Sequence, residues 1–226
     1  MAKLTALELL NEVLRNVGDE TVSSLSNLSG QKLLAWNALN EALLDITTSE
    51  QWKPLETWGQ ITLVTGTSTY AKPSDMYDFD RNSFRYNEAK TIFYKTPQEV
   101  DREYVTQTNT GSPEVIYEFG DYWYVIKIPG TNENGKTIKY RYWKLPSLLS
   151  TDTETGTCWL PEGFDRTVLV NLATFKVLHY RNNPEAAIYY QKVYGDPKRG
   201  IEGSFTKLVR LYRSPTMKRV RVTAYF

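Results

Sequence analysis

The chain has 226 residues, with 27 Lys and Arg against 26 Asp and Glu and a net charge of +1. That length can bury a core without staples, and 41% hydrophobic content with 16 Tyr, 8 Phe and 6 Trp excludes disorder over its bulk. One cysteine, Cys158, excludes an internal disulfide, and no apolar run approaches the roughly 18 residues of a membrane span. No apolar signal core opens the chain, so the expected setting is reducing and aqueous. Charge is uneven. Lys198 to Phe226 carries eight bases and one acid, Glu202, a net +7 that leaves −6 for everything before it. Such polarity can steer one end of the molecule toward an acidic partner or a phosphate.

Leu4, Leu7, Leu10, Leu14 and Val17 recur at helical spacing, with Thr5 and Glu8 as a capping box and Gly18 as a stop. A second helix is expected with Leu33, Trp36, Leu39, Leu43 and Ile46 on one face. From about Trp52 the texture becomes β-branched and aromatic. Residues 61–64, 91–94, 113–119, 122–128 and 137–143 read as strands, separated by turn signals that include Gly120-Asp121 and Asn134-Gly135. The helical period returns at Pro161, with Phe164, Val168, Leu172, Phe175 and Leu178 as its stripe. Asn183-Pro184-Glu185 starts the next helix, Ala186 to Tyr194. Gly195-Asp196-Pro197 interrupts it before a last helix, 204–213. The expected fold is therefore α+β. Residues 1–51 and 158–213 would form one helical bundle, because neither helical pair can bury its stripe alone. An antiparallel β-rich module, 52–157, is inserted in it as a sheet, sandwich or small barrel. Beyond Pro215, Val220, Val222, Ala224 and Phe226 alternate with Arg219, Arg221, Thr223 and Tyr225. That is the pattern of a strand added to a partner's edge, so 214–226 reads as an extended arm, with a solvated tail as the plain alternative.

The chemistry expected of these residues is recognition. His179 sits near a helix end, where its charge suits the dipole, and Cys158 has no second thiol; both read as structural. Asp75, Asp78 and Asp80 fail the calcium-loop pattern, because its glycine and glutamate positions fall on Asp80 and Tyr86. Gly195, Gly200 and Gly203 match no phosphate-binding loop. No catalytic constellation, metal site or cofactor motif stands out, and the chain reads as a non-enzyme. Aromatics of the β region, among them Tyr117, Phe119, Tyr122, Trp123, Tyr124, Tyr140, Tyr142 and Trp143, read as core or protein interface. Stacking on single-stranded nucleic acid, aided by the basic C-terminal segment, is the alternative, and glycan binding a weaker one.

The stretch Leu9-Leu10-Asn11-Glu12-Val13-Leu14-Arg15-Asn16-Val17-Gly18, the link Val22-Ser23-Ser24-Leu25 and the helix Ala35 to Leu44 resemble the head-to-tail adaptor proteins of tailed bacteriophages, particularly the tail tubular protein A family. The run Ile61 to Asp75, Leu160-Pro161-Glu162 and Asn183-Pro184-Glu185 are similar too, so the resemblance spans roughly 7–80 and 158–213. It implies a structural virion protein at the portal vertex, assembled in the bacterial cytoplasm. It also implies a ring, commonly of twelve subunits, that joins the portal to a tail tube, nozzle or stopper protein around double-stranded DNA. No membrane is implied. Such adaptors often contact the portal through a C-terminal arm. The residues expected to bind portal or a neighbouring subunit are accordingly Arg210, Arg213, Lys218, Arg219, Val220, Arg221, Val222, Tyr225 and Phe226.

Overall fold

The structure is a computed structural model that describes residues 3–104 and 109–215. Its helices are α1 (Ala6–Asn16), α2 (Gly30–Ser49), α3 (Pro97–Glu103), α4 (Asn171–Tyr180), α5 (Ala186–Tyr194) and α6 (Ser204–Tyr212). The principal strands are β1 (Glu56–Thr62), β2 (Thr69–Ala71), β3 (Met76–Phe79), β4 (Arg85–Tyr86), β5 (Lys90–Thr91), β6 (Phe93–Tyr94), β7 (Val115–Phe119), β8 (Tyr122–Ile126) and β9 (Thr137–Lys144). The fold is mixed α+β, and contacts divide it after Leu55 and after Leu145 into a helical unit and a β unit.

In the helical unit α1 opens on the expected box. The Thr5 hydroxyl accepts from the Glu8 N–H, and the Glu8 carboxylate accepts from the Thr5 N–H at 2.9 Å. Gly18, at φ +78°, closes the helix, and the Asp19 N–H reaches back to the Leu14 carbonyl. The buried stripe is Ala6, Leu9, Leu10, Val13 and Leu14. Leu4, Leu7 and Val17 of the expected stripe are only half-buried. Both sets have helical spacing, and tertiary contacts with α2 and α4 select between them. On α2, Trp36, Leu39, Leu43 and Ile46 are buried as expected, whereas Leu33 is 42% exposed.

Residues from both ends of the sequence interlock here. The Asn40 side-chain amide donates to the Leu149 carbonyl and accepts the Leu149 N–H. Trp159 donates its indole N–H to Thr47 at 2.8 Å, and Arg181 makes paired bonds to Asp19. A π-helical turn, Asp165–Val170, precedes α4. Its Asp165 carboxylate is 2% exposed and accepts from the N–H groups of Leu4, Gly163 and Arg166. The wider turn shifts helical phase between Phe164 and Asn171, so a stripe read at constant 3.6-residue spacing is only partly right. Val168, Leu172 and Leu178 are buried, but Phe164 and Phe175 are half-buried.

Between α5 and α6 a short antiparallel ribbon pairs Gly195–Asp196 with Ile201–Glu202. A Cβ on Gly203 would stand 2.2 Å from the Val193 carbonyl oxygen. One on Gly195, at φ +87°, would stand 2.3 Å from that of Ile201. These glycines serve close backbone approach.

The β unit contains two four-strand paths. One runs β1-β9-β4-β5, with β3 also on β9, and the other runs β2-β8-β7-β6. They share one core of Ile61, Leu63, Phe79, Phe84, Ile116, Trp123, Val125, Ile138, Tyr140 and Tyr142. The expected antiparallel character needs one correction: β6 pairs β7 in parallel. The connection between them holds α3 and is long enough for the crossover that a parallel pair requires. The strand expected at 91–94 is divided as well. Lys90–Thr91 pairs in the first sheet and Phe93–Tyr94 in the second, with Ile92 buried between them. The hairpin at Gly120-Asp121 forms, with Phe119 opposite Tyr122 and Gly120 at φ +56°. Helix α3, absent from the sequence reading, starts with a second capping box, Thr96 with Glu99, and Pro97 in its first turn.

Candidate functional site

Of the residues expected to bind a partner, two fall within the described chain. Arg210, on α6, donates to both carboxylate oxygens of Glu202, at 3.0 and 3.3 Å. Arg213 lies 3.0 Å from Glu50 and bridges Trp52 in antiparallel pairing. The next residue, Ser214, is 2% exposed, and its N–H donates to the Gln51 carbonyl at 2.7 Å. Trp52 is wholly buried. Its indole N–H caps the Ile46 carbonyl, and its rings meet Trp159 and Phe205 at 5.6 and 6.1 Å. The end of α6 is thus strapped to the end of α2. Ser214 is the first residue of the expected arm, and its bond to Gln51 was not anticipated from the sequence, because the strap is a backbone bond with no side-chain signature. Lys218, Arg219, Val220, Arg221, Val222, Tyr225 and Phe226 lie outside the described residues, as does the arm that contains them beyond Pro215.

The aromatic strands sort by alternation. Trp123, Tyr140 and Tyr142 point into the core, and Trp143, on the other face of β9, is buried as well. The Trp123 indole N–H donates to the Tyr140 hydroxyl at 3.2 Å. On the opposite face Tyr117 and Tyr124 stack at 5.2 Å, while Phe119 and Tyr122 at the hairpin end are 67% and 48% exposed. The sequence reading missed Trp58, the middle of β1, which is 61% exposed and has the Arg141 guanidinium 5.9 Å from its ring centre. Its position next to the buried Gly59 was the available signal, since neighbouring strand residues face opposite ways.

A cleft of about 630 Å³ opens beside the same hairpin, with Lys72, Asp78, Arg81, Glu118, Asp121 and Tyr122 in its wall. Lys72 Nζ lies 2.6 Å from Glu118, 2.9 Å from the Gly120 carbonyl and 5.0 Å from the Trp123 ring centre. Tyr94 donates its hydroxyl to the other Glu118 oxygen at 3.0 Å. Burial, reinforced by the charge of Glu118, pushes the Tyr94 phenol up to about 12. Two of the charges of this cleft, Lys72 and Glu118, are thus engaged with each other, and Arg81 lies over the Tyr94 ring at 5.2 Å.

The remaining candidates hold structural places. Burial pushes the Cys158 thiol up to about 11, the reverse of an activated nucleophile. His179 ends α4, stacked on Phe175 at 5.5 Å. Asp75 accepts from Tyr142, Asp78 from the Phe79 N–H, and Asp80 pairs with Arg141 at 2.6 Å. Among the described residues no group of His, Cys, Asp and Glu is arranged to hold a metal ion.

These features define a protein whose polar groups build and pin its own units and whose described surface carries exposed aromatic side chains, among them Trp58, Phe93, Phe119 and Tyr122. A family model described as SU10 adaptor protein matches residues 4–217, and the chain belongs to that family of bacteriophage head-to-tail adaptors, which are structural proteins. Comparison with individual curated proteins gives no match.

Proposed function

We propose that this protein is a ring-forming virion component that joins the portal to the tail and surrounds the DNA path. Family membership over residues 4–217 carries the reading. In it, twelve copies meet the portal vertex on one side and a tail tube, nozzle or stopper protein on the other, with double-stranded DNA passing through the lumen. Assembly takes place in the host cytoplasm. No helix among the described residues is long and apolar enough to cross a membrane. The helices of residues 1–51 and 158–213 act as one bundle, and the inserted β module presents surfaces to neighbours.

The portal-binding element in this proposal is the segment after Pro215. Lys218, Arg219 and Arg221 supply attraction, and Val220, Val222, Tyr225 and Phe226 supply contact, beside Arg210 and Arg213 at its base. The strap at Arg213 and Ser214 supports this, because a docking element transmits force only from a fixed root. Eleven residues from Thr216 to Phe226, at about 3.3 Å each if extended, reach ~36 Å, enough to cross to another molecule. Truncation after Pro215 tests the proposal. Loss of portal binding at an unchanged melting temperature is the expected outcome, and undiminished portal binding would refute the arm. A single-stranded nucleic-acid binder would instead bind oligonucleotides with affinity falling steeply as salt rises.

A further inference from the structure

Where α2, α4 and α5 meet, the helical unit carries an acidic and aromatic patch. Lys176 on α4 is 2.8 Å from Glu41 and 2.7 Å from Asp45 on α2, so one lysine answers two carboxylates, and those side chains remain 63% and 52% exposed. Leu44, beside Asp45 on α2, is exposed, and Tyr190 and Tyr194 of α5, 4.8 Å apart, keep much of each ring in solvent. Burial first, then Tyr190 and Asp45, push the Tyr194 phenol up against the opposing charge of Lys176, which puts the tyrosines and the acids in one patch.

A row of rings joins this patch to the strap at the end of α6. Tyr194 lies 5.8 Å from Phe205, and Phe205 lies 6.1 Å from Trp52. Trp52 is bridged by Arg213, and the Ser214 N–H binds the Gln51 carbonyl. Because that pairing is antiparallel, the chain leaves Ser214 toward Glu50, and so toward the C-terminal end of α2 at Ser49. Asp45 stands about 6 Å and Glu41 about 12 Å back along the helix from Ser49. The eleven residues from Thr216 to Phe226, at ~36 Å if extended, cover that distance with ease. No basic residue stands in the last turn of α2, so the negative end of its dipole adds to the two acids.

We infer that this patch is the resting site of the chain's own segment 216–226 before the portal takes it. Lys218, Arg219 and Arg221 bring positive charge to a patch with two acids against one lysine. Val220, Val222 and Phe226 cover Leu44 and the tyrosine rings, removing apolar surface from water. The patch begins where the segment is rooted, which raises the segment's effective concentration there. Patch and portal then compete for one segment, and the free subunit keeps its apolar residues covered. The inference rests on the reading of this segment as the portal-binding element and adds where it lies beforehand.

Disulfide trapping in the full-length protein tests it. Leu44→Cys with Val222→Cys is compared with Leu211→Cys with Val222→Cys. Leu211 is the stricter control, being more exposed than Leu44 and just before the strap. Cys158 is buried and its thiol is pushed up by burial, so it competes little. Oxidised glutathione closes the bridges in dilute protein, mass spectrometry counts the intramolecular ones, and melting temperatures serve as the folding control. The expected result is a bridge to position 44 that forms about tenfold faster than one to position 211, an advantage that Glu41→Lys with Asp45→Lys removes. Equal rates at the two positions, or an advantage that survives the charge reversals, overturn the inference. Truncation after Pro215 keeps the two readings apart. Lost portal binding on truncation, with no preference in bridging, overturns the resting site while the portal reading stands. Intact portal binding on truncation, with a preferred bridge to position 44, overturns the portal reading while the contact stands.

Discussion

Gly59 shows how one missing side chain organises the β unit. It faces Tyr140 across the β1–β9 ladder, and a Cβ at Gly59 would lie 2.4 Å from the tyrosine ring. The ring therefore covers the bare backbone of β1, while its hydroxyl accepts the Trp123 indole N–H. Gly59→Val drives a branched side chain into a filled core and should cost about 3 kcal/mol, read as a lower denaturation midpoint. Two other tyrosines tie stability to alkaline pH. Burial and Glu118 push Tyr94 up to about 12, and burial with the Asp75 hydrogen bond does the same for Tyr142, against an ordinary value of 10.0. Below pH 10 both phenols are protonated whether the chain is folded or not. Between pH 10 and 12 the unfolded chain ionises first, so stability falls as pH rises through that window. The double variant Tyr94→Phe, Tyr142→Phe should lose less stability than wild type between pH 10 and 12. An unchanged difference between the two pH values would show that these phenols do not set it.

At the scale of elements, burial separates residues that periodicity treats alike. Leu33 and Leu39 belong to the same expected stripe of α2, yet the first is 42% exposed and the second fully buried. Leu39→Asp should unfold the helical unit, because an unpaired carboxylate in the core costs several kcal/mol. Leu33→Asp should change stability by only about 0.5 kcal/mol. Equal melting temperatures for the two variants would contradict the assignment of α2's faces. The helices were legible because their signals are local. Thr5 with Glu8 marks a start and Gly18 a stop, and Pro161, Asn183 and Gly195 lie close to further boundaries. Thr96-Pro97-Gln98-Glu99 carried the same signal for α3, but it stands inside a region of strand texture and was passed over. Strand pairing was not legible, because it joins distant residues. The turn at Asn134-Gly135 looks local, yet the Gly135 N–H binds the Leu63 carbonyl, and β9 pairs β1 from the far side of the unit's sequence. The π-helical turn at 165–170 leaves no periodic trace and alters the phase of everything after it.

At the scale of the whole molecule, a near-zero net charge covers a basic C-terminal segment and an acidic remainder. Little global repulsion then opposes association, and local complementarity decides which surfaces meet. The candidate binding residues divide in the same way. Arg210 and Arg213 are tied to Glu202 and Glu50, so their charges first serve the base of the segment. Alternation alone could nominate Arg219 to Phe226, while the strap that anchors their base became visible only in three dimensions. The most direct test of the adaptor reading is the mass of the complex that full-length protein forms with its portal ring. The account predicts a saturated complex with a symmetric complement of adaptor copies, twelve on a twelve-fold portal. A complex with no fixed complement, or no complex at all, would contradict it.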